Sequence, residues 1–268
     1  MASGDKEKER MNRFFEARRQ WLDGLAPFIR PGRIIDLGCG GGFVIEFYLR
    51  HFPDSIMFGI ENLLDRLQRA SVRNNPNVHL VNGDIVSMPF RKNAFDTVSF
   101  IYCLHVIFSL QGRDAVMTAF DHAFNILKEN GRLIIQDFHK PEPQQVRLVL
   151  KTDMARTKFI AFTDQFRPRK ISYTMDGDHI VTDIANAIDF LAAYRAKSED
   201  DWHEFMIETP FFLTESEIFD ALTQIGFTIE DVKRIPPPVP ADLDGLDDIE
   251  FDFELGRKWI QVIASKTI

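Results

Sequence analysis

Four acidic residues and one cluster of glycines are spaced as a binding site would need them. Asp36, Glu61, Asp84 and Asp137 each lie at or near the end of a short apolar run, and Asp36 is followed almost at once by Gly38-Cys39-Gly40-Gly41-Gly42. An apolar-periodic segment, Val44, Ile45, Phe47, Tyr48 and Leu49, comes directly afterwards. That order reads as a buried strand, a tight turn and a helix. Glycines at such a turn let the backbone approach a ligand where a Cβ would collide, and the free N–H groups opening the helix favour a polar or anionic group. A turn that only needed one left-handed residue would use one glycine; here four of five positions are glycine.

The elements that position these residues follow from periodicity. After the first strand and helix, residues 56–61, 78–81, 95–102 and 133–138 read as buried strands. Leu63, Leu64, Leu67 and Ala70 mark one intervening helix, and Val116, Phe120, Ala123, Phe124 and Leu127 another. Alternation of this kind predicts a parallel sheet with helices on both faces. Ligands of such sheets lie outside the carboxyl ends of the strands, where Glu61, Asp84 and Asp137 stand. From 140 to 213 the alternation stops, and a helical cap is expected, with helices at 146–161 and 183–197. Thr214 and Glu217 have the spacing of a capping box, and strands at 227–232 and 259–264 follow. The chain therefore divides into an N-terminal helical segment (1–30, helix 7–29), a core (31–139), a cap insertion (140–213) and a completion of the core sheet (214–268).

Composition narrows the function classes. The net charge of −8 is local: residues 236–256 hold seven acids and no base, leaving 33 acids against 32 bases elsewhere. A body so nearly neutral argues against nucleic acid as a partner. The acidic, proline-led stretch 236–256 is expected to be a disordered, solvated loop. No apolar run is long enough for a membrane span, and the charged first residues do not form a signal peptide. Two cysteines, Cys39 and Cys103, give neither a disulfide framework nor a metal-ligand spacing, so a reducing, cytoplasmic compartment is expected.

Taken together, Asp36-Leu37-Gly38-Cys39-Gly40-Gly41-Gly42 resembles the signature of class I S-adenosylmethionine-dependent methyltransferases. Glu61 after strand two, Gly83-Asp84 after strand three, Ala94-Phe95-Asp96 opening strand four and Asn130-Gly131-Arg132-Leu133 before strand five fall in that family's order. The likeness covers 30–139 well, 214–268 moderately and 140–213 hardly, apart from Asp137-Phe138-His139-Lys140-Pro141, which is similar to a run in quinone-biosynthesis methyltransferases. The competing dinucleotide fingerprint would place a third glycine at position 43, which is Phe43.

The resemblance implies an α/β, doubly wound, Rossmann-like sheet of seven strands with the last strand antiparallel. It implies S-adenosylmethionine as cofactor and S-adenosylhomocysteine as product. Asp36 would serve the methionine ammonium, directly or through the turn, while Gly38, Cys39 and Gly40 carry the backbone past the methionine and ribose. Glu61, continued by Asn62, would accept both ribose hydroxyls, and Asp84 would accept from the adenine amino group. The Ile85 N–H would hold a ring nitrogen, Leu63 and Ile85 would sandwich the ring, and Ile101 and Tyr102 would line the methyl-donor end. The expected reaction is methyl transfer to a small molecule, against a protein or RNA acceptor or a catalytically idle cofactor-binding module. A neutral amine, phenol or acidic carbon would need a base. His105 leads the candidates, with Tyr102, Asp137 and His139 behind it, and for each a packed or capping role is the plainer alternative. Arg167, Arg169 and Lys170 in the cap form either a solvated turn or a contact for an anionic substrate.

Overall fold

The computed structural model describes residues 22–235, 244–255 and 258–267. The expected helix 7–29 thus lies outside the described residues up to residue 21, and only its end, with Leu22 and Leu25 buried, is seen.

The core alternates as expected. β1 (Arg33–Leu37), α1 (Phe43–His51), β2 (Ile56–Glu61), α2 (Leu64–Gln68), β3 (Val78–Asn82) and β4 (Phe95–Ile101) come first. Two helices then follow where sequence periodicity shows one, α3 (Leu104–Gln111) and α4 (Arg113–Ile126), before β5 (Leu127–His139). Gly112, at φ +83°, separates them. The chain returns to this sheet with α8 (Glu215–Ile225), β9 (Phe227–Ile235) and β11 (Lys258–Lys266). The sheet has seven strands in the order β3-β2-β1-β4-β5-β11-β9. β1 to β5 are parallel, and β11 runs antiparallel between β5 and β9. Both faces are apolar, as central parallel strands require. Ile34, Ile134 and Ile263 pack under Val44, Phe47 and Tyr48 of α1, while Leu37, Val98, Phe100 and Ile135 pack under Val116 and Phe120 of α4 and Leu222 of α8. The capping box closes as read: the Glu217 N–H donates to Thr214 Oγ1, and Thr214 N–H donates to Glu217 Oε2 at 2.9 Å.

The insertion departs from an all-helical cap. β6 (Gln145–Leu150) occupies positions expected to be helical, followed by α5 (Asp153–Gln165), β7 (Tyr173–Asp176), β8 (His179–Asp183), α6 (Ile184–Tyr194) and α7 (Glu199–Ile207). The cause is visible in Val146, Leu148 and Leu150, which alternate with exposed or half-buried residues at a strand's period of two. A second correction concerns the acidic loop. Its residues Ile249–Phe251 form β10, which pairs antiparallel with β6 and completes a four-stranded sheet β10-β6-β8-β7. Leu246 and Ile249 are buried there, and Asp248 accepts the Tyr194 hydroxyl at 2.7 Å. Residues 236–243 of that loop lie outside the described residues. Phe159, Phe162 and Phe190 form a separate apolar core inside the insertion. Arg169 is used internally, bonding Asn186 at 2.9 Å, Thr209 at 3.3 Å and Asp189 at 2.5 Å. Among the described residues, no helix is long and apolar enough to cross a membrane.

Candidate cofactor and acceptor site

The glycine turn divides its glycines between two tasks. The N–H groups of Gly38 and Cys39 both donate to the Ile60 carbonyl, at 2.9 and 3.0 Å, which bends the chain off β1. Gly38, Gly40 and Gly42 have φ of +78°, +52° and +84°. A Cβ on Gly38 would stand 2.6 Å from Cys103 Cβ, and one on Gly42 would stand 2.6 Å from Val72 Cγ2. Those two glycines permit close packing. A Cβ on Gly40 or Gly41 would meet nothing within 4 Å, so this is the open side of the turn. Gly38→Ala is therefore expected to destabilise the fold by about 2–4 kcal/mol, from overpacking plus left-handed strain. Gly40→Ala is expected to cost only about 1 kcal/mol. Urea unfolding of the two variants checks the difference, and equal losses would contradict this division of roles.

Asp36 is 1% exposed and accepts the Ser99 hydroxyl at 2.7 Å. Burial and that carboxylate push the neighbouring Tyr48 phenol up from its ordinary value. Burial, then Asp36 and Glu61, also raise the Cys39 thiol, which leaves it uncharged. Glu61 ends β2 at 6% exposure with one N–H on each oxygen: Gly40 N donates to Oε2 and Leu63 N to Oε1, both at 3.0 Å. A carboxylate has about four lone-pair sites, so acceptor capacity is left on each oxygen. Asn82, which sequence reasoning passed over, braces this end by donating to the Glu61 and Asn62 carbonyls at 2.9 and 3.0 Å. Asp84 caps the 3₁₀ turn Ile85–Ser87 through Val86 N at 3.0 Å and accepts from Gln111 at 3.2 Å. Ile85 is buried, and Leu63 stands exposed.

At the end of β4, Tyr102 takes φ +64°, a strained value for an aromatic residue. Its ring packs on Trp259 at 4.2 Å, Phe138 at 5.1 Å and His105 at 5.6 Å between centroids. A cavity opens beside it. Ile101, Tyr102, Gln136 and Trp259 line it from the strand ends, and Leu22, Phe43 and Val44 from the helical side. Gln136 and Trp259 were not picked out from sequence. The available sign was that Gln136 is the one polar residue in the buried run Leu133-Ile134-Ile135-Gln136.

His105 opens α3 and is joined to the sheet by Asp137. Asp137 Oδ2 accepts the Leu104 and His105 N–H groups at 2.8 and 3.4 Å, and Oδ1 accepts His105 Nδ1 at 2.6 Å and Phe138 N at 2.8 Å. His105 Nε2 lies 3.6 Å from Glu208 of the insertion. Burial alone would lower this imidazole; Asp137, helped by Glu208, outweighs it and pushes the ring up to about 9. At neutral pH His105 already holds its proton, so it does not stand ready to take one from an acceptor. His139 is buried as well, with Nδ1 3.2 Å from the Lys140 carbonyl.

A methyltransferase-domain family model matches residues 34–131, the span from β1 to the turn inside β5. Over that span the chain carries a methyltransferase domain. The chain is 31% identical over 119 residues to a ubiquinone/menaquinone biosynthesis C-methyltransferase of Vibrio campbellii, covering 42% of this chain and 44% of that protein. The chain spans about half the length of the curated relatives it matches. Among solved structures it is similar to a Haloferax volcanii methyltransferase in complex with its Trm112 activator (TM-score 0.58, 12% identity, 100% of this chain and 96% of that one). It is also similar to the 1,6-didemethyltoxoflavin-N1-methyltransferase of Burkholderia thailandensis (TM-score 0.50, 15% identity, 100% and 89%). At such identities the likeness is one of fold.

Proposed function

We propose that this methyltransferase transfers a methyl group from S-adenosylmethionine to a small, largely apolar acceptor. The observation that carries the reading is the open backbone at Gly40 and Gly41, flanked by a Glu61 carboxylate with acceptor capacity to spare. The cofactor has a zwitterionic amino-acid end, a diol and an adenine, and no phosphate, and the residues present fit that set. Glu61 would accept the diol, Asp84 and the Ile85 N–H would read the adenine, and the Gly38–Gly40 turn supported by Asp36 would pass the methionine portion. Asn62 and Leu63 would continue the wall from Glu61, and Ile101 and Tyr102 would close the methyl-donor end.

When bound, the cofactor supplies a methyl on a sulfonium, whose leaving group departs as a neutral thioether. The protein's own share is then mostly placement. Tyr102, Phe43 and Trp259 give the cavity aromatic walls, and none of the residues lining it is charged. Such walls suit an uncharged, flat acceptor. The quinone-biosynthesis name of the Vibrio relative is consistent with that class. His105, protonated and held by Asp137, would fix the start of α3 and stabilise negative charge nearby.

Calorimetric titration with S-adenosylhomocysteine tests the reading, with micromolar binding and a raised melting temperature expected. Absence of both at millimolar ligand would sink it.

A further inference from the structure

Gln136 lines the cavity and carries a side-chain donor without a hydrogen-bond partner among the described residues. It sits near the carboxyl end of β5, 2% exposed, and its main-chain carbonyl accepts the Tyr102 N–H at 2.9 Å. Its side-chain Nε2 is fully buried and has no hydrogen-bond partner among the described residues, yet the residue lines the cavity with Tyr102 and Trp259. An orphaned buried amide donor costs about 1–3 kcal/mol, a penalty that an occupant can remove. The rest of the run, Leu133, Ile134 and Ile135, is apolar and fully buried. The cross-strand neighbour Gln261 and the aromatic residues Tyr102 and Trp259 share the end of the sheet with it.

We propose that Gln136 orients the methyl acceptor, donating its amide N–H to an oxygen on an uncharged ring held between the aromatic walls. The substrate class is therefore an oxygen-bearing aromatic or quinoid small molecule. This rests on the methyltransferase reading above and adds to it a contact outside the cofactor's own set. The contact discriminates sharply, because a ring lacking the oxygen leaves the donor buried and unpaired.

The test compares phenol with toluene, which has nearly the same shape, as probes of the full chain saturated with S-adenosylhomocysteine. Dissociation constants come from ligand-observed NMR. The wild type should favour phenol, after allowance for the two probes' partition from water into hydrocarbon, by about ten-fold, the worth of one hydrogen bond. Q136M keeps length and volume and should abolish that preference, while S-adenosylhomocysteine affinity stays close to wild type and the melting temperature rises, because the orphaned donor is gone. A wild type that binds the cofactor product but shows no preference for phenol overturns the proposal. So does a Q136M chain that keeps the preference, or one that loses cofactor affinity instead, which would place Gln136 in the cofactor pocket. Failure of the wild type to bind S-adenosylhomocysteine at all would strike the underlying methyltransferase reading, so the two failures are distinguishable.

Discussion

Glu61→Ala should weaken S-adenosylhomocysteine binding by about 100-fold. Two hydrogen bonds from ligand hydroxyls to a buried carboxylate are worth roughly 1.5 kcal/mol each at the low end for charged partners, and about 3 kcal/mol is two orders of magnitude in affinity. The substitution also strips acceptors from the Gly40 and Leu63 N–H groups, each now bonded at 3.0 Å. A fall in stability of about 1–3 kcal/mol should accompany the affinity loss. Glu61→Gln is the sharper probe. It keeps one acceptor oxygen but turns an NH2 toward either Gly40 N or Leu63 N, so it should lose at least about ten-fold while retaining the side chain's volume. Asp84→Ala should do less to the fold, because its Oδ1 caps only a three-residue 3₁₀ turn. Titration calorimetry on folded protein decides the matter. A Glu61→Ala chain binding within threefold of wild type would remove Glu61 from the cofactor site.

The order of elements was readable because its signals are local. Strands 56–61 and 78–81, the glycine turn and the Thr214–Glu217 box each advertise themselves within a few residues, and the structure places them as β2, β3, the β1–α1 turn and the α8 cap. Gly38 shows the limit of that reading. Its type marks a special backbone, and only the structure reveals that Cys103, 65 positions along the chain, is what stands where its Cβ would be. The four-stranded sheet of the insertion was hidden for a related reason. β6, β8 and β10 are short, and β10 pairs with β6 from about a hundred residues away, inside an acidic stretch whose composition points to disorder. Ile249 and Leu246 outweigh that composition by being buried against the insertion's core. The same holds at the site. His105 was visible as a titratable group near a strand end, but its protonation state depends on Asp137 and Glu208, 32 and 103 residues away in sequence.

That histidine should leave a signature in stability against pH. Its ring is raised from 6.5 in the unfolded chain to about 9 in the folded one, so folding binds a proton between those values. A raised folded pKa gives stabilisation that is complete below about pH 6.5 and is lost as the pH climbs through 9. The shift corresponds to about 3 kcal/mol. Wild type minus His105→Gln unfolding free energy, measured in urea, should therefore be near that value at pH 6 and close to zero at pH 9.5. The substitution leaves Asp137 with its three backbone N–H donors, so the chain should still fold. Asp137→Ala is the harsher change. It removes the acceptor from those N–H groups and leaves the buried imidazole with only the more distant Glu208 carboxylate, 3.6 Å away, which should cost about 3–5 kcal/mol at neutral pH. Parallel pH profiles for wild type and His105→Gln, or an imidazole titrating below pH 7 by NMR, would contradict this account and return His105 to the list of candidate bases. If the account holds, the pH dependence of methyl transfer has no limb near 6.5 from this residue. An acceptor that must lose a proton then loses it to another group or to water, while His105 keeps α3 and the Glu208 end of the insertion fixed against the sheet.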